Sequence, residues 1–470
     1  MFDLEKYDNN VAIITDSNIC IKYLELSVYQ KELLTVLNGR SLIFILCDNA
    51  LGSLIGYLSC IINKIVPVLL DCNINRDCLI SILKAYRPNY VWLPSNIYIF
   101  DNEDIVFDKW GYKLVSYMSD FQHNIHKDLA VLLPTSGSTG SLKMVRISYA
   151  NLIENAKSII EYLNIGSDDK AITSLPMSYS FGISIINTHL LSGACLLVTN
   201  KKVFDVNFWS FFRDNNGTSI AGVPYTYTIM RKINISNMHL PTLKVLTQAG
   251  GKISANDLDY FIDFAKNRNC KFYVMYGQTE ATARISYVPY NMLEKKKGSI
   301  GVPIPGGTLS LYDKENNEID QPYKLGELVY RGKNVSLGYA YNYKCLDKSD
   351  ENNSIVHTGD LGYVDNDNYF YLVGRIDRTV KILGYRVSLD ELESILEYKY
   401  LNRFICMQIE NIIFIIGNIN VNNNEIISYI SSVTKMNMGV FKYVFLSDIP
   451  RTYNGKINYN RIRQIISDNN

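Results

Sequence analysis

The sequence predicts an α/β fold: a large N-terminal domain of α/β subdomains with a small barrel-like β part, then a small α+β C-terminal domain. Three observations predict it. Short apolar runs alternate with stretches of helical spacing through the first half of the chain. From Gly298 the texture changes to short alternating strands with Gly, Pro and Asn-Asp turns, and after Gly374 a compact mixed stretch closes the chain.

The window from Ser41 to Leu70 sets the first pattern. SLIFILC reads as a buried strand, NALGSLIGYLSCIIN as a helix and KIVPVLL as a second strand, the alternation that gives parallel strands with crossover helices. Further buried strands of the same α/β body are expected in AVLLPTSG, in ACLLVTN near Cys195, in SIAGVP near Ile220, in LKVLTQAGG from Leu243 and in KFYVMYG from Lys271. GELVYRG and NYFYLVGR carry the antiparallel signal. The Asn-rich stretch from Asn418 to Asn424 reads as a turn, and a boundary is placed near Asp377, dividing the chain into 1–376 and 377–470. At 470 residues the chain is long enough for a large unit plus a small one.

Composition excludes several classes of function. With 47 Lys plus Arg against 46 Asp plus Glu there is no excess positive charge to hold a polyanion, so no nucleic-acid partner is expected. Nine cysteines lie scattered without a CxxC pair, which suits reduced thiols and a cytoplasmic location rather than a disulfide framework or zinc site. MFDLEKYDNN lacks the basic and apolar regions of a signal peptide. The most apolar window carries Asp48, Asn49 and Lys64, so no membrane span is expected.

TSGSTGSLK, from Thr135 to Lys143, directly follows a strand. Gly137 and Gly140 permit backbone shapes in which successive N–H groups converge on phosphate oxygens. Thr135, Ser136, Ser138 and Thr139 add hydroxyl donors and Lys143 a positive charge. The spacing is not that of a Walker A loop, and no kinase catalytic-loop pattern occurs, which argues against a simple ATPase or kinase. Taken alone, a Ser/Gly surface loop is the competing account. Ser148 is a candidate cap for the helix that follows.

The segment resembles the signature loop of the adenylate-forming superfamily of acyl-CoA synthetases, peptide-synthetase adenylation domains and luciferases. LPMSYSFG from Leu175, AGG at Ala249 to Gly251, YGQTEA from Tyr276, GELVYRG, HTGDLG from His357, GRIDRTVKILGYRV from Gly374 and PRTYNGK ending at Lys456 follow in the family's order. The resemblance implies that ATP and a carboxylic acid give an acyl-AMP and pyrophosphate, after which the acyl group passes to a phosphopantetheine thiol. ATP and Mg are the implied cofactors. It gives Tyr276 the stacking role on adenine, Gly250, Gly251, Gly277 and Gln278 a place around the nucleotide, Thr279 a phosphate contact and Glu280 the magnesium carboxylate. Asp360 and Arg375 are implied at the ribose and Lys456 at the reacting carboxylate and α-phosphate. Asp377 corresponds to a hinge about which a mobile C-terminal domain turns, bringing Gly384 to the thiol passage. Without this context Glu280 reads as a strand-end acid, Asp360 as a turn former and Lys456 as a hairpin lysine.

The sequence departs from the family at two places. The loop reads SLKMV where many members read xPKGV, so Leu142 and Met144 replace a proline and a glycine while Lys143 remains. LPMSYSFG has Tyr179 where many acyl-CoA synthetases have histidine, and it lacks the nearby aspartate that receives the amine in amino-acid-specific domains. An α-amino acid would lack its counter-charge, so an acyl or aryl acid is expected. Tyr179, Phe181, Val223, Gly250 and Ala281 are the candidate acid pocket, with core packing the competing account of the aromatics. The early signature loop and compact C-terminal unit favour an acyl carrier protein as acceptor, with CoA the alternative. A non-catalytic nucleotide-binding relative is disfavoured by the retained Lys456, Glu280, Asp360 and Arg375.

Overall fold

A computed structural model describes residues 3–37, 39–134, 143–382, 385–434, 436–452 and 455–468. The chain separates into two compact units, residues 1–308 with 330–356 and residues 309–329 with 357–470.

In the first unit the apolar runs become strands of two sheets. Leu42–Cys47 and Val66–Asp71 lie in parallel register, Leu42 opposite Val66 and Cys47 opposite Asp71, joined through the helix Leu51–Ile62. Leu129–Pro134 adds to Val66–Asp71 on its far side, and Met144–Ser148 returns antiparallel to it. The other sheet orders Lys271–Tyr276, Val245–Gln248, Ser219–Gly222, Lys170–Ile172 and Cys195–Val198 side by side. Its central strands are parallel, with Val245 opposite Lys271 and Gln248 opposite Val274. The buried strands expected in one α/β body therefore divide between two sheets that share one apolar core, Ile45 and Val131 of one and Leu196 and Val198 of the other lying in the same buried cluster as Leu54 and Leu152 of the helices.

Helix Tyr149–Leu163 shows how local chemistry fixes an element. Ser148 accepts from the Asn151 N–H at 3.1 Å while the Asn151 side chain accepts from the Ser148 N–H at 2.8 Å, a reciprocal cap that satisfies donors the helix cannot. Ser148 is the cap that the sequence indicates.

In the second unit, Ile355–Val364 and Phe370–Arg375 form an antiparallel pair, with Asp360 directly opposite Arg375. Beyond them, three strands, Phe404–Ile409, Ile412–Gly417 and Phe441–Phe445, pack with helices Leu389–Tyr400, Asn423–Thr434 and Tyr459–Asp468. The core here is Leu396, Phe404, Ile415, Ile426 and Ile430. The turn expected over Asn418–Asn424 is shorter than anticipated, since Asn423 already begins a helix. Asp377 lies in the short turn Ile376–Arg378, and its side chain is outside the described ones.

All nine cysteines are free thiols. Among the described residues no helix is long and apolar enough to cross a membrane.

Arg378 organises the second unit electrostatically. Its Nε lies 2.8 Å from Asp390 Oδ1 and its Nη2 2.5 Å from Glu393 Oε1, and Glu393 also accepts the Cys406 N–H at 2.7 Å. With Glu393 only 12% exposed, removing the cation strands a buried carboxylate, so Arg378→Met is expected to cost about 3–5 kcal/mol in urea unfolding. Glu393→Gln on that background should recover much of the loss, because the amide oxygen still accepts from Cys406 without a charge to desolvate. Additive losses in the two variants would show the pair to be energetically independent.

Candidate active site

The first unit gathers several of the sequence motifs at one end of the strand Lys271–Tyr276, where an open parallel sheet presents ligand sites. After Tyr276 the chain turns through Gly277 and Gln278 into a short helical turn, Thr279–Ala281. Gly277 has no room for a side chain: a Cβ there would fall 1.9 Å from the Ala283 carbonyl oxygen. The turn leaves through Thr282 and Ala283 with φ of 57° and 128°, backbone that non-glycine residues enter only under constraint.

Asn334 supplies much of that constraint. Its amide donates to the Ala281 carbonyl at 2.8 Å and to the Arg284 carbonyl at 2.9 Å, while Thr282 Oγ1 donates back to the Asn334 carbonyl at 2.6 Å. Tyr330 donates to its remaining side-chain oxygen at 2.8 Å. On either side, Asn151 donates to the carbonyls of Lys333 and Val335 at 2.8 and 2.7 Å. The segment 333–335 thus ties the start of the helix behind the phosphate loop to the YGQTE turn.

Within this frame Glu280 is half-buried, with its Oε1 accepting from the Tyr339 hydroxyl at 2.8 Å. The Lys143 ammonium sits over the same tyrosine ring, 3.6 Å from its centre. Strand pairing explains the meeting, since Tyr339 lies opposite Val145 beside the strand that Lys143 leads into. Thr279 is buried and donates to Ser180 Oγ at 3.1 Å, joining YGQTE to LPMSYSFG. Thr279, Glu280 and Lys143 are therefore brought together, as are Tyr276, Gly277 and Gln278 by sequence. One hydrogen-bonded carboxylate suits Mg²⁺, which takes few protein oxygens beside phosphate and water. No cluster of three or more His, Cys, Asp or Glu that could hold a metal occurs among the described residues.

The candidate pocket residues form a neighbouring apolar cluster. Tyr179, Phe181, Val223 and Ala249 are buried in it, and Gly250, at φ +83°, would bring a Cβ to 2.7 Å from the Tyr179 hydroxyl and 3.2 Å from Val223. Gly251 follows, its carbonyl accepting from Gln248 at 2.9 Å. Ala281 is fully buried but contributes a carbonyl to Asn334 rather than a wall of this cluster. Burial pushes the Tyr179 hydroxyl up to about 12, so it is neutral at physiological pH.

In the second unit, strand register sets Asp360 Oδ1 2.9 Å from Arg375 Nε. Gly359, at φ +72°, turns the chain there and donates to Glu327 at 3.1 Å. His357 pairs with the same Glu327 at 3.1 Å, a structural role. The Lys456 carbonyl accepts from the Thr452 N–H at 2.7 Å. Thr135, Ser136, Gly137, Ser138, Thr139, Gly140 and Gly384 lie outside the described residues.

Sequence reasoning missed Asn334, Tyr339 and Arg284. Asn334 and Tyr339 sit in KNVSLGYA, just past a strand motif, and carry no local signature. Arg284 offered a signal, being one charge within the otherwise uncharged run ATARISYV.

The AMP-binding enzyme family matches residues 39–340. A probable 4-coumarate-CoA ligase 2 of Dictyostelium discoideum is 27% identical over 282 residues, 58% of this chain and 50% of that protein, so the chain spans about half the length of that relative. A D-alanine–D-alanyl carrier protein ligase of Staphylococcus aureus (strain Newman) is 27% identical over 436 residues, 86% of this chain and 84% of that protein. In fold, the chain is similar to an O-succinylbenzoate coenzyme A synthetase from Bacillus subtilis solved with AMP, at TM-score 0.77 and 19% identity, over 98% of this chain and 97% of that one.

Asn334→Ala would leave two buried carbonyls without donors and release a strained turn. A loss of about 2–4 kcal/mol in chemical denaturation is expected, given about 1–3 kcal/mol for each stranded group. Asn334→Asp should be at least as harmful, because a carboxylate cannot donate to either carbonyl. An unchanged unfolding midpoint in both would show that the turn holds itself.

Proposed function

We propose, for a chain that belongs to the AMP-binding enzyme family, ATP-dependent activation of a carboxylic acid followed by transfer of the acyl group to a phosphopantetheine thiol. The observation that carries this reading is the joining of phosphate-loop strand and YGQTE turn, with Lys143 over Tyr339 and Tyr339 donating to Glu280.

In the first step an oxygen of the acid attacks the α-phosphorus of ATP and pyrophosphate leaves with the cleaved bond's electron pair. In the second, the thiol sulfur attacks the acyl carbon, its proton is lost and AMP departs. Magnesium held at Glu280 would neutralise phosphate charge. Thr279 and the hydroxyls of Thr135 to Thr139 would donate to phosphate oxygens, Tyr276 would stack on adenine, and Asp360 with Arg375 would receive the ribose hydroxyls. Catalysis is then chiefly positioning and charge stabilisation. Lys456 supplies the cation for the first step, and rotation about Asp377 exchanges it for the passage beside Gly384 in the second.

A carrier protein is the preferred acceptor, because similarity to the carrier-protein ligase runs through 84% of that relative, against half of the coumarate-CoA ligase. CoA delivers the same thiol and is the second reading. A cytoplasmic location accords with the free thiols.

With Mg-ATP and its acid, the protein should exchange labelled pyrophosphate into ATP and release AMP. ADP as product would refute the reading. Lys456→Ala should lower exchange by roughly 10² or more while sparing transfer from preformed acyl-AMP, and Gly384→Trp should do the reverse. Equal losses in both half-reactions would remove the division of labour. Given acyl-AMP, a phosphopantetheinylated carrier should react faster than free CoA at matched concentration, and the opposite order would reassign the acceptor.

A further inference from the structure

Arg284 is 2% exposed, four residues beyond Glu280 at the end of the turn that Asn334 holds. Two other buried cations in the first unit, Lys113 and Arg146, face carboxylates: Lys113 lies 2.6 Å from Glu103 and Arg146 2.8 Å from Glu351. Arg284 has no carboxylate within ion-pair distance among the described residues, and its Nε, like that of Arg146, has no hydrogen-bond partner there. Its surroundings are neutral. The guanidinium lies 3.9 Å from the Phe181 ring centre, with the hydroxyls of Tyr162 and Tyr179 beside it, both pushed up to about 12 by burial.

The same side chain lines a cavity of about 40 Å³ together with Ser184, Ala221, Thr247, Asp169 and His189. The two titratable groups on that wall are already engaged. Asp169 accepts from Lys244 at 3.0 Å and from the Gly166 N–H at 2.9 Å. His189, whose affinity for a proton burial lowers, holds its Nδ1 2.9 Å from the Ile185 carbonyl. The cavity adjoins the candidate acid pocket: Ile159, Leu163 and Ala221 belong both to its wall and to the apolar cluster of Tyr179, Phe181 and Val223.

We infer that Arg284 is a specificity-determining residue that holds a second carboxylate on the acid being activated, so that the substrate is a dicarboxylic acid. A guanidinium stays charged even when buried, and leaving it dry without a counter-ion is costly. A carboxylate arriving with the substrate supplies that counter-ion, and the planar fork of donors matches its two oxygens. The space suits it, since about 40 Å³ is room for only a few heavy atoms at about 10–15 Å³ for a water's worth of such volume. An α-ammonium in this pocket would meet a like charge in a medium of low dielectric, which sets the chain apart from an amino-acid ligase despite the similarity in sequence.

This inference rests on the acid-activation reading, and the test separates the two. Pyrophosphate exchange is measured with aliphatic and aryl dicarboxylic acids of graded length, with the monoester of each, with plain monocarboxylic acids and with D-alanine. At least one diacid should exceed its own monoester by about 100-fold in kcat/KM, the scale of one lost buried charge pair. Arg284→Met should bring that ratio near one, and Arg284→Lys should keep part of it. Should the variants fail to fold, the wild-type comparison of diacid with monoester decides alone. Exchange driven equally by monoesters, or best by monocarboxylic acids or D-alanine, overturns the inference and leaves acid activation standing. Equal loss with diacid and monoester in a folded Arg284→Met overturns it as well, by showing a structural arginine. Exchange with no acid at all overturns both.

Discussion

The geometry of the YGQTE turn depends on how one tripeptide, 333–335, is hydrogen-bonded. Asn151 holds the carbonyls on either side of Asn334, and Asn334 in turn holds those of Ala281 and Arg284. These carbonyls have no regular ladder to satisfy them, so side-chain amides do so. The consequence is geometric: the helix that starts behind the phosphate loop and the turn after strand Lys271–Tyr276 cannot move independently.

That constraint allows the turn to adopt backbone that it would otherwise leave. Thr282 and Ala283 at positive φ are tolerated because three hydrogen bonds to one residue over-determine their path. The path aims Glu280 toward Tyr339 and carries Arg284 into the interior, so one strained turn sets both the carboxylate proposed for magnesium and the cation proposed for the substrate. Rigid placement of charged groups is what phosphoryl and acyl transfer ask of a protein, because the reacting molecules supply most of the chemistry themselves.

The contrast among buried charges is informative in the same terms. Lys113 with Glu103 and Arg378 with Glu393 are closed pairs, complete without a ligand. Asp360 with Arg375 is a pair set on an antiparallel strand turn, with the arginine half exposed, so its groups remain accessible to hydroxyls. Arg284 is the departure, a buried cation against the Phe181 ring with no carboxylate within ion-pair distance among the described residues.

The sequence by itself determined the strands, because Leu42–Cys47, Ser219–Gly222, Val245–Gln248 and Lys271–Tyr276 are apolar runs whose burial is a local property of composition. It also determined the motifs proposed to carry the chemistry, since Tyr276 to Glu280 and Asp360 to Arg375 owe their arrangement to short-range spacing and to a hairpin. It could not divide the buried runs between two sheets, for the choice lies in which strands pair at long range. Nor could it find Asn334, Tyr339 or the role of Arg284. An amide that satisfies carbonyls about fifty residues away, a hydroxyl that reaches Glu280 across a strand pairing, and an arginine with no carboxylate beside it among the described residues acquire meaning only from what tertiary packing places around them.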